Sequence, residues 1–100
     1  MGNNAVVLNW LKGTVKLLIN SDEFVIDAMT PKGTSIVSFF IYLKNPKDVG
    51  LVLGKHAYRK QAIQEIIKQS LFYGDTQEFT LRIDHIDKKG QVAEKVLQEA

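Results

Sequence analysis

The feature that most constrains the fold of this chain is a ten-residue run, SIVSFFIYLK, from Ser35 to Lys44. β-Branched and aromatic residues dominate this run, which is typical of a β-strand. Alternate side chains of a strand point to opposite faces of the sheet. One set is Val37, Phe39, Ile41 and Leu43, and the other is Ile36, Ser38, Phe40 and Tyr42. Because both sets contain large apolar groups, we expect one of these faces to be partly covered by another part of the protein.

Apolar periodicity predicts the remaining elements of a small α+β domain. Apolar residues at three- and four-residue spacing indicate amphipathic helices, whereas alternation indicates half-buried strands. The first two strands are expected to pair as a hairpin through the turn TPKGT, and the third to join an edge of that hairpin. The predicted elements are a helix at about 4–19, strands at 23–29, 35–44 and 76–86, a short helix from Asn45 and a longer helix from Tyr58. The order α-β-β-α-α-β predicts a three-stranded sheet packed by helices on one face.

Composition argues against several classes of function. The chain has no cysteine, so it has no disulfide, thiolate metal site or thiol nucleophile, as expected of a protein in the reducing cytoplasm. No apolar run is long enough to span a membrane, and we see no signal peptide. His56 and His85 have no acidic partner at ligand spacing, so neither a metal nor a cofactor is expected. No nucleophile–base pattern is present, and the chain is not expected to be an enzyme.

Positive charge is concentrated in the middle of the chain. The segment from Lys44 to Lys68 holds six positive and two negative residues, a local charge of +4, whereas the remaining residues sum to −2. A concentrated positive field is the expected footprint of a phosphate-binding surface. The alternative is a solvated helix face without a ligand.

The stretch LVLGKHAYRKQAI, Leu51 to Ile63, lies within this basic segment. A tight turn between two helices places several backbone N–H groups together, and the second helix adds the positive end of its dipole. Anions bind readily at such a helix N-terminus. Gly54 allows a phosphate to approach without a Cβ atom in the way. Lys55, Arg59 and Lys60 are placed to neutralise nearby phosphates.

The element order together with this stretch resembles a prokaryotic-type (type II) KH domain. In KH domains a G-x-x-G loop between two helices clamps the nucleic-acid backbone. In this chain Leu53 is the aliphatic residue before the loop, Gly54 stands at the first glycine, Lys55 and His56 are the variable pair, and Ala57 stands at the second glycine. The resemblance implies a type II KH fold.

The same resemblance implies non-catalytic binding of single-stranded RNA. The length of the chain is similar to that of small stand-alone bacterial KH proteins described as RNA chaperones. This likeness implies a partner as well, either a second copy of the chain or another KH protein. A membrane partner is not expected, because no apolar run is long enough to span a membrane. The residues that the resemblance assigns to RNA binding are Leu53, Gly54, Lys55, His56, Ala57, Tyr58, Arg59, Lys60 and Ile63.

Ala57 is the departure from the KH pattern. If its position requires a positive φ, a residue with a Cβ atom costs about 1–2 kcal/mol there. If it is simply the first residue of a helix, alanine is favourable. The methyl group would also crowd a bound phosphate. The alternative hypothesis is therefore a degenerate KH scaffold that acts as a protein–protein interaction module with little RNA binding.

Residues 1–87 are assigned to the KH-like domain, and residues 88–100 to a C-terminal tail or short helix. Three apolar side chains of this tail, Val92, Val96 and Leu97, fall on one side of such a helix. A helix this short is marginal unless it docks on another surface. The last ten residues are predicted to be expendable for RNA binding.

Overall fold

A computed structural model describes residues 3–71 and 78–89, and over these residues the chain forms an α+β fold with a three-stranded mixed sheet. The elements are α1 (Asn3–Ile19), β1 (Phe24–Met29), β2 (Val37–Leu43), α2 (Pro46–Leu53), α3 (Tyr58–Ile66) and β3 (Phe79–His85). An irregular turn occupies Lys55–Ala57, and a short 3-10 turn occupies Ile86–Lys88. The predicted α+β class and the three strands are thus confirmed.

The central strand of the sheet is β2. It pairs antiparallel with β1, where Ile26 lies opposite Ile41, and parallel with β3, where Ile41 lies opposite Ile83. Parallel neighbours require a crossover connection, because their ends lie at opposite edges. The segment with α2 and α3 provides this crossover. The third strand therefore joins the β2 edge of the predicted hairpin, a choice that the sequence pattern left open.

Helices cover one face of the sheet, as the order of the elements predicts. Ile41 is fully buried between helical side chains and its strand neighbours, and Trp10 packs at the border of this core. Each helix contributes to the layer through its apolar stripe. The buried residues of this core are Val7, Leu11, Val15, Val37, Phe39, Ile41, Leu43, Val52, Ile63, Ile67 and Leu81.

The second face of β2 is buried as well. Phe40 and Tyr42 are each only 2% exposed, and their rings stack with centroids 5.6 Å apart and planes inclined by 6°. Val25, Met29 and Ile86 pack against this pair. The sequence predicted partial cover for one of the two faces, and the structure buries both.

The ends of the elements differ in part from the predictions. The helix that begins at Tyr58 does not continue regularly to Leu71, because Ile67–Leu71 form a wider turn of π-helix. Residues 72–77, which follow this turn, and residues 90–100 of the predicted tail lie outside the described residues. Within residues 3–71 and 78–89, no helix is long and apolar enough to cross a membrane.

His85 ends β3 at the edge of the core. Its Nε2 atom lies 3.2 Å from the Lys44 carbonyl oxygen, and its Nδ1 atom lies 3.4 Å from a carboxylate oxygen of Asp87. These contacts fix the ring to the end of β2 and to the turn that follows β3. His85 is therefore a structural residue of the sheet, as its place in the alternating pattern indicates.

Candidate nucleic-acid interface

The first part of the candidate site is the glycine that ends α2. Gly54 has φ +76° and ψ 173°, a conformation that residues with a side chain rarely adopt. Its N–H group donates to the Gly50 carbonyl oxygen at 2.9 Å and so completes α2. A Cβ atom at this position would lie 2.7 Å from the Cβ of Arg59 and 2.9 Å from its backbone nitrogen. Gly54 is therefore required by the close approach of α3, as well as by its backbone angles.

The next residues turn the chain through two consecutive left-handed conformations. His56 has φ 54° and ψ 28°, and Ala57 has φ 60° and ψ 22°. Each costs about 1–2 kcal/mol relative to a right-handed conformation, although histidine is one of the residue types enriched there. The position that a KH pattern gives to glycine thus has the positive φ that glycine adopts without strain, and Ala57 carries that strain here.

This turn leads directly into α3 and leaves its N-terminus without a side-chain cap. The N-cap residue is Ala57, which has no oxygen to accept from the first turn of the helix. Within the loop, Ala57 N–H donates to the Gly54 carbonyl at 3.1 Å, and Tyr58 N–H donates to the Lys55 carbonyl. The N–H groups that follow in a first turn have no partner inside the helix, so they are free for water or an anion. No acidic residue lies in the first turn of α3 to neutralise its dipole.

Four cationic or titratable side chains surround the loop, and they are not equivalent. Lys55 and His56 are exposed, and Lys60 is half-buried. Arg59 has a defined partner, because its Nη1 donates to the carbonyl oxygen of Leu51 in the last turn of α2. Arg59 therefore fixes α2 against α3, and its charge stays beside the loop.

Aromatic and apolar groups border the same loop. The rings of His56 and Tyr58 meet edge to face, with centroids 5.7 Å apart, and Tyr58 is 64% exposed. Leu51, one turn before the loop, is 47% exposed. An unstacked base can pack on an exposed aromatic ring of this kind.

The structure brings eight of the nine predicted RNA-binding residues together at the loop and its immediate flanks. Ile63 is the exception, because it is only 3% exposed and belongs to the core. Leu51 borders the loop but is not among the predicted residues. Val49 and Val52 lie on the core side of α2, and the helical spacing places Leu51 on a different side of that helix. The hydrogen bond from Arg59 to the Leu51 carbonyl oxygen could not be predicted from the sequence, because it depends on how α2 and α3 pack against each other.

Comparisons with protein-family models, with curated proteins and with solved structures find no match for this chain. Among the described residues, no group of three or more histidine, aspartate or glutamate side chains is arranged to hold a metal ion. The candidate site is thus described by its geometry alone: a helix that ends at Gly54, a left-handed turn, an uncapped helix N-terminus and exposed cations.

Proposed function

We propose that this chain is a type II KH-like domain that binds single-stranded RNA without catalysis. The order α1-β1-β2-α2-α3-β3 supports the proposal, and so does the parallel pairing of β2 with β3 on either side of a helix–loop–helix crossover. A KH domain uses the loop of such a crossover to hold the nucleic-acid backbone.

The observation that carries the proposal is the loop itself. Gly54, His56 and Ala57 all have positive φ, and this strained turn ends at a helix N-terminus with neither a capping oxygen nor a first-turn acid. Strained backbone of this kind persists where the surrounding structure enforces it, and it clusters at ligand-binding sites. A phosphate at this position accepts from the free N–H groups of α3 and gains the favourable end of the helix dipole.

Side chains of the loop and its flanks complete the proposed binding mode. Lys55 and Lys60 neutralise phosphates on either side of the loop, while Tyr58 and Leu51 provide a surface for one or two bases. Affinity of one such module is weak and falls as salt rises, because counterions are released on binding. If the domain pairs with a second copy or with another KH protein, two loops on one strand raise the affinity through effective concentration.

The proposal is tested by fluorescence anisotropy with a labelled, unstructured RNA of about ten nucleotides over a range of salt concentrations. We expect the logarithm of the association constant to fall linearly with the logarithm of salt, with a slope of about −2 for three phosphate contacts. The double variant Lys55→Glu and Lys60→Glu should lose at least about tenfold in affinity and most of that slope.

A matched control separates the loop from overall charge. Lys12→Glu with Lys32→Glu makes the same change in net charge at two exposed lysines, in α1 and in the β1–β2 turn. We expect this control to bind RNA within about twofold of the original chain. Equal losses in the two double variants would mean that binding is a property of net charge. No binding at low salt would favour the alternative, a protein–protein interaction module on the same scaffold, for which the exposed Leu51 and Tyr58 would be contact residues.

A further inference from the structure

The face of the sheet opposite the helices is more buried than its described neighbours explain. Phe40 and Tyr42 lie on the central strand and are 2% exposed. The apolar residues described against them come from β1 and from the turn after β3, not from α1, α2 or α3. Ser38 on the same face is 3% exposed and accepts a hydrogen bond from the Thr80 hydroxyl at 2.9 Å. A sheet face without a layer above it leaves its side chains in contact with water, so this face has a cover.

The chain turns onto this face at the end of its described part. After β3, the 3-10 turn Ile86–Lys88 packs Ile86 against the Phe40–Tyr42 pair. Lys89 follows in a right-handed helical conformation, φ −53° and ψ −49°. Its ammonium nitrogen lies 5.9 Å from the centroid of the Tyr42 ring, within the range of a cation–π contact. The described backbone therefore ends beside the outer face of the sheet.

The chemistry of Tyr42 indicates a dry cover. Burial raises the pKa of its phenol to about 12, and the nearby carboxylates of Asp27 and Asp84 add to the effect. A tyrosine that faced water would titrate near its usual value of about 10. Arg82 offsets part of this rise. The raised pKa agrees with the 2% exposure of Tyr42 in placing this residue away from water.

The sequence that follows Lys89 has the pattern such a cover needs. In QVAEKVLQEA the apolar residues Val92, Ala93, Val96, Leu97 and Ala100 recur at helical spacing, with the polar residues on the opposite side. Ten helical residues extend about 15 Å, and three strands are about 10 Å across. This segment is thus long enough to cross the sheet and has one apolar side to place on it.

We propose that residues 90–100 form the outer layer of the sheet, with Val92, Val96 and Leu97 packed on Phe40 and Tyr42. The occupant is the chain's own C-terminal segment, because the backbone already reaches the face at Lys89. The fold is then a sheet with helical layers on both sides. RNA bases have no access to Phe40 and Tyr42, so RNA contact is confined to the loop beside α3.

The direct test is nuclear Overhauser spectroscopy of the full-length chain. We expect contacts between the methyl groups of Val96 or Leu97 and the ring protons of Phe40 or Tyr42. A fully assigned spectrum without any such contact overturns the proposal. A sample that mixes isotopically labelled and unlabelled chains separates the alternatives: the same contacts observed only between copies would assign the cover to a second molecule and would equally overturn it.

Accessibility of Tyr42 gives an independent test with an internal reference. Acylation of tyrosines by N-acetylimidazole, mapped by mass spectrometry, should modify the exposed Tyr58 quickly and Tyr42 hardly at all in the original chain. The full-length double variant Val96→Asp and Leu97→Asp places two charges on the apolar side of the segment. We expect it to raise the modification rate of Tyr42 relative to Tyr58 by at least about tenfold, because the cover opens.

The matched control adds the same two charges on the polar side, through Gln91→Asp and Gln98→Asp. We expect Tyr42 to stay protected in this control. Equal exposure of Tyr42 in both variants, or continued protection in the apolar-side variant, contradicts the proposal. If the apolar-side variant does not fold, the contacts measured in the unmodified chain decide the question by themselves.

Discussion

The N-termini of α2 and α3 are built in opposite ways. At the start of α2, the Asn45 side chain accepts from Lys47 N–H at 3.1 Å, Pro46 occupies the first turn, and Asp48 adds a negative charge. At the start of α3, the cap position is Ala57, in a left-handed conformation with no side-chain acceptor. One helix end satisfies its own donors and neutralises its own dipole, and the other does neither.

The difference indicates that the two ends have different roles. Capping residues and first-turn acids each stabilise a helix by about 0.3–2 kcal/mol. The N-terminus of α3 lacks both contributions to stability, whereas the N-terminus of α2 has both. This cost to stability arises at the turn that contains Lys55 and at the first turn of α3, which contains Lys60. We infer that the start of α2 contributes stability, whereas the start of α3 is kept open for an anion. The predictions below test this comparison.

The largest effect is expected at the junction between the two helices. Gly54→Ala should destabilise the protein by about 3 kcal/mol, because the new Cβ meets Arg59 and the backbone angles suit only glycine. Equilibrium urea unfolding measures the change. Gly50→Ala is the matched control, since an added Cβ there has no atom within 4 Å, and it should stabilise α2 by up to about 1 kcal/mol. A Gly54 variant as stable as the control would show that the junction tolerates a side chain.

The second prediction concerns substitutions that give the start of α3 a capping side chain like that of α2. Ala57→Asp and Ala57→Asn introduce side chains of the same shape, both of which tolerate a left-handed conformation. Only the aspartate places a negative charge at the N-terminus of α3. RNA affinity should fall about tenfold more in Ala57→Asp than in Ala57→Asn, which corresponds to about 1.4 kcal/mol. Identical affinities in the two variants would mean that no phosphate lies near this helix end.

The third prediction removes the cap of α2. Asn45→Ala should destabilise the protein by about 1 kcal/mol, because the Lys47 N–H group loses its acceptor. Asn45→Asp keeps an acceptor and should retain the original stability. RNA affinity should be unchanged in both folded variants, since Asn45 lies at the far end of α2 from the loop. A loss of RNA affinity in Asn45→Ala would contradict the separate roles of the two helix ends.

The smallest effect concerns the strain at Ala57. Ala57→Gly should stabilise the fold by about 0.5 kcal/mol, because release of left-handed strain slightly exceeds the entropy that glycine adds to the unfolded chain. The same substitution at Ala62, an exposed residue within α3, should instead destabilise by up to about 1 kcal/mol. Thermal unfolding compares the stabilities of the two variants. If both lose stability by a similar amount, residue 57 behaves as an ordinary helical residue. Removal of the methyl group should also raise RNA affinity, by about tenfold at most.

Much of the fold and of the candidate site is readable from local patterns. The predicted starts of α1, β1, α2 and β3 agree with the structure to within one to three residues, because periodicity and caps act over short stretches of chain. Residues of the candidate loop are adjacent in sequence, so its prediction required only Gly54 between two helices and the basic residues after it. Ile63 shows the limit of that approach, since its membership of the core depends on which side of α3 meets the sheet.

The sequence by itself determined where the helices and strands lie, that Asn45 begins α2, and that Gly54 breaks the chain beside a basic segment. Only the tertiary structure decided that β3 runs parallel to β2, that Ala57 has positive φ, and that both aromatic faces of β2 are buried. The physical reason is the range of the interactions. Caps and periodicity depend on neighbours a few residues away, whereas sheet order, burial and the strain at Ala57 are fixed by packing between segments distant in sequence.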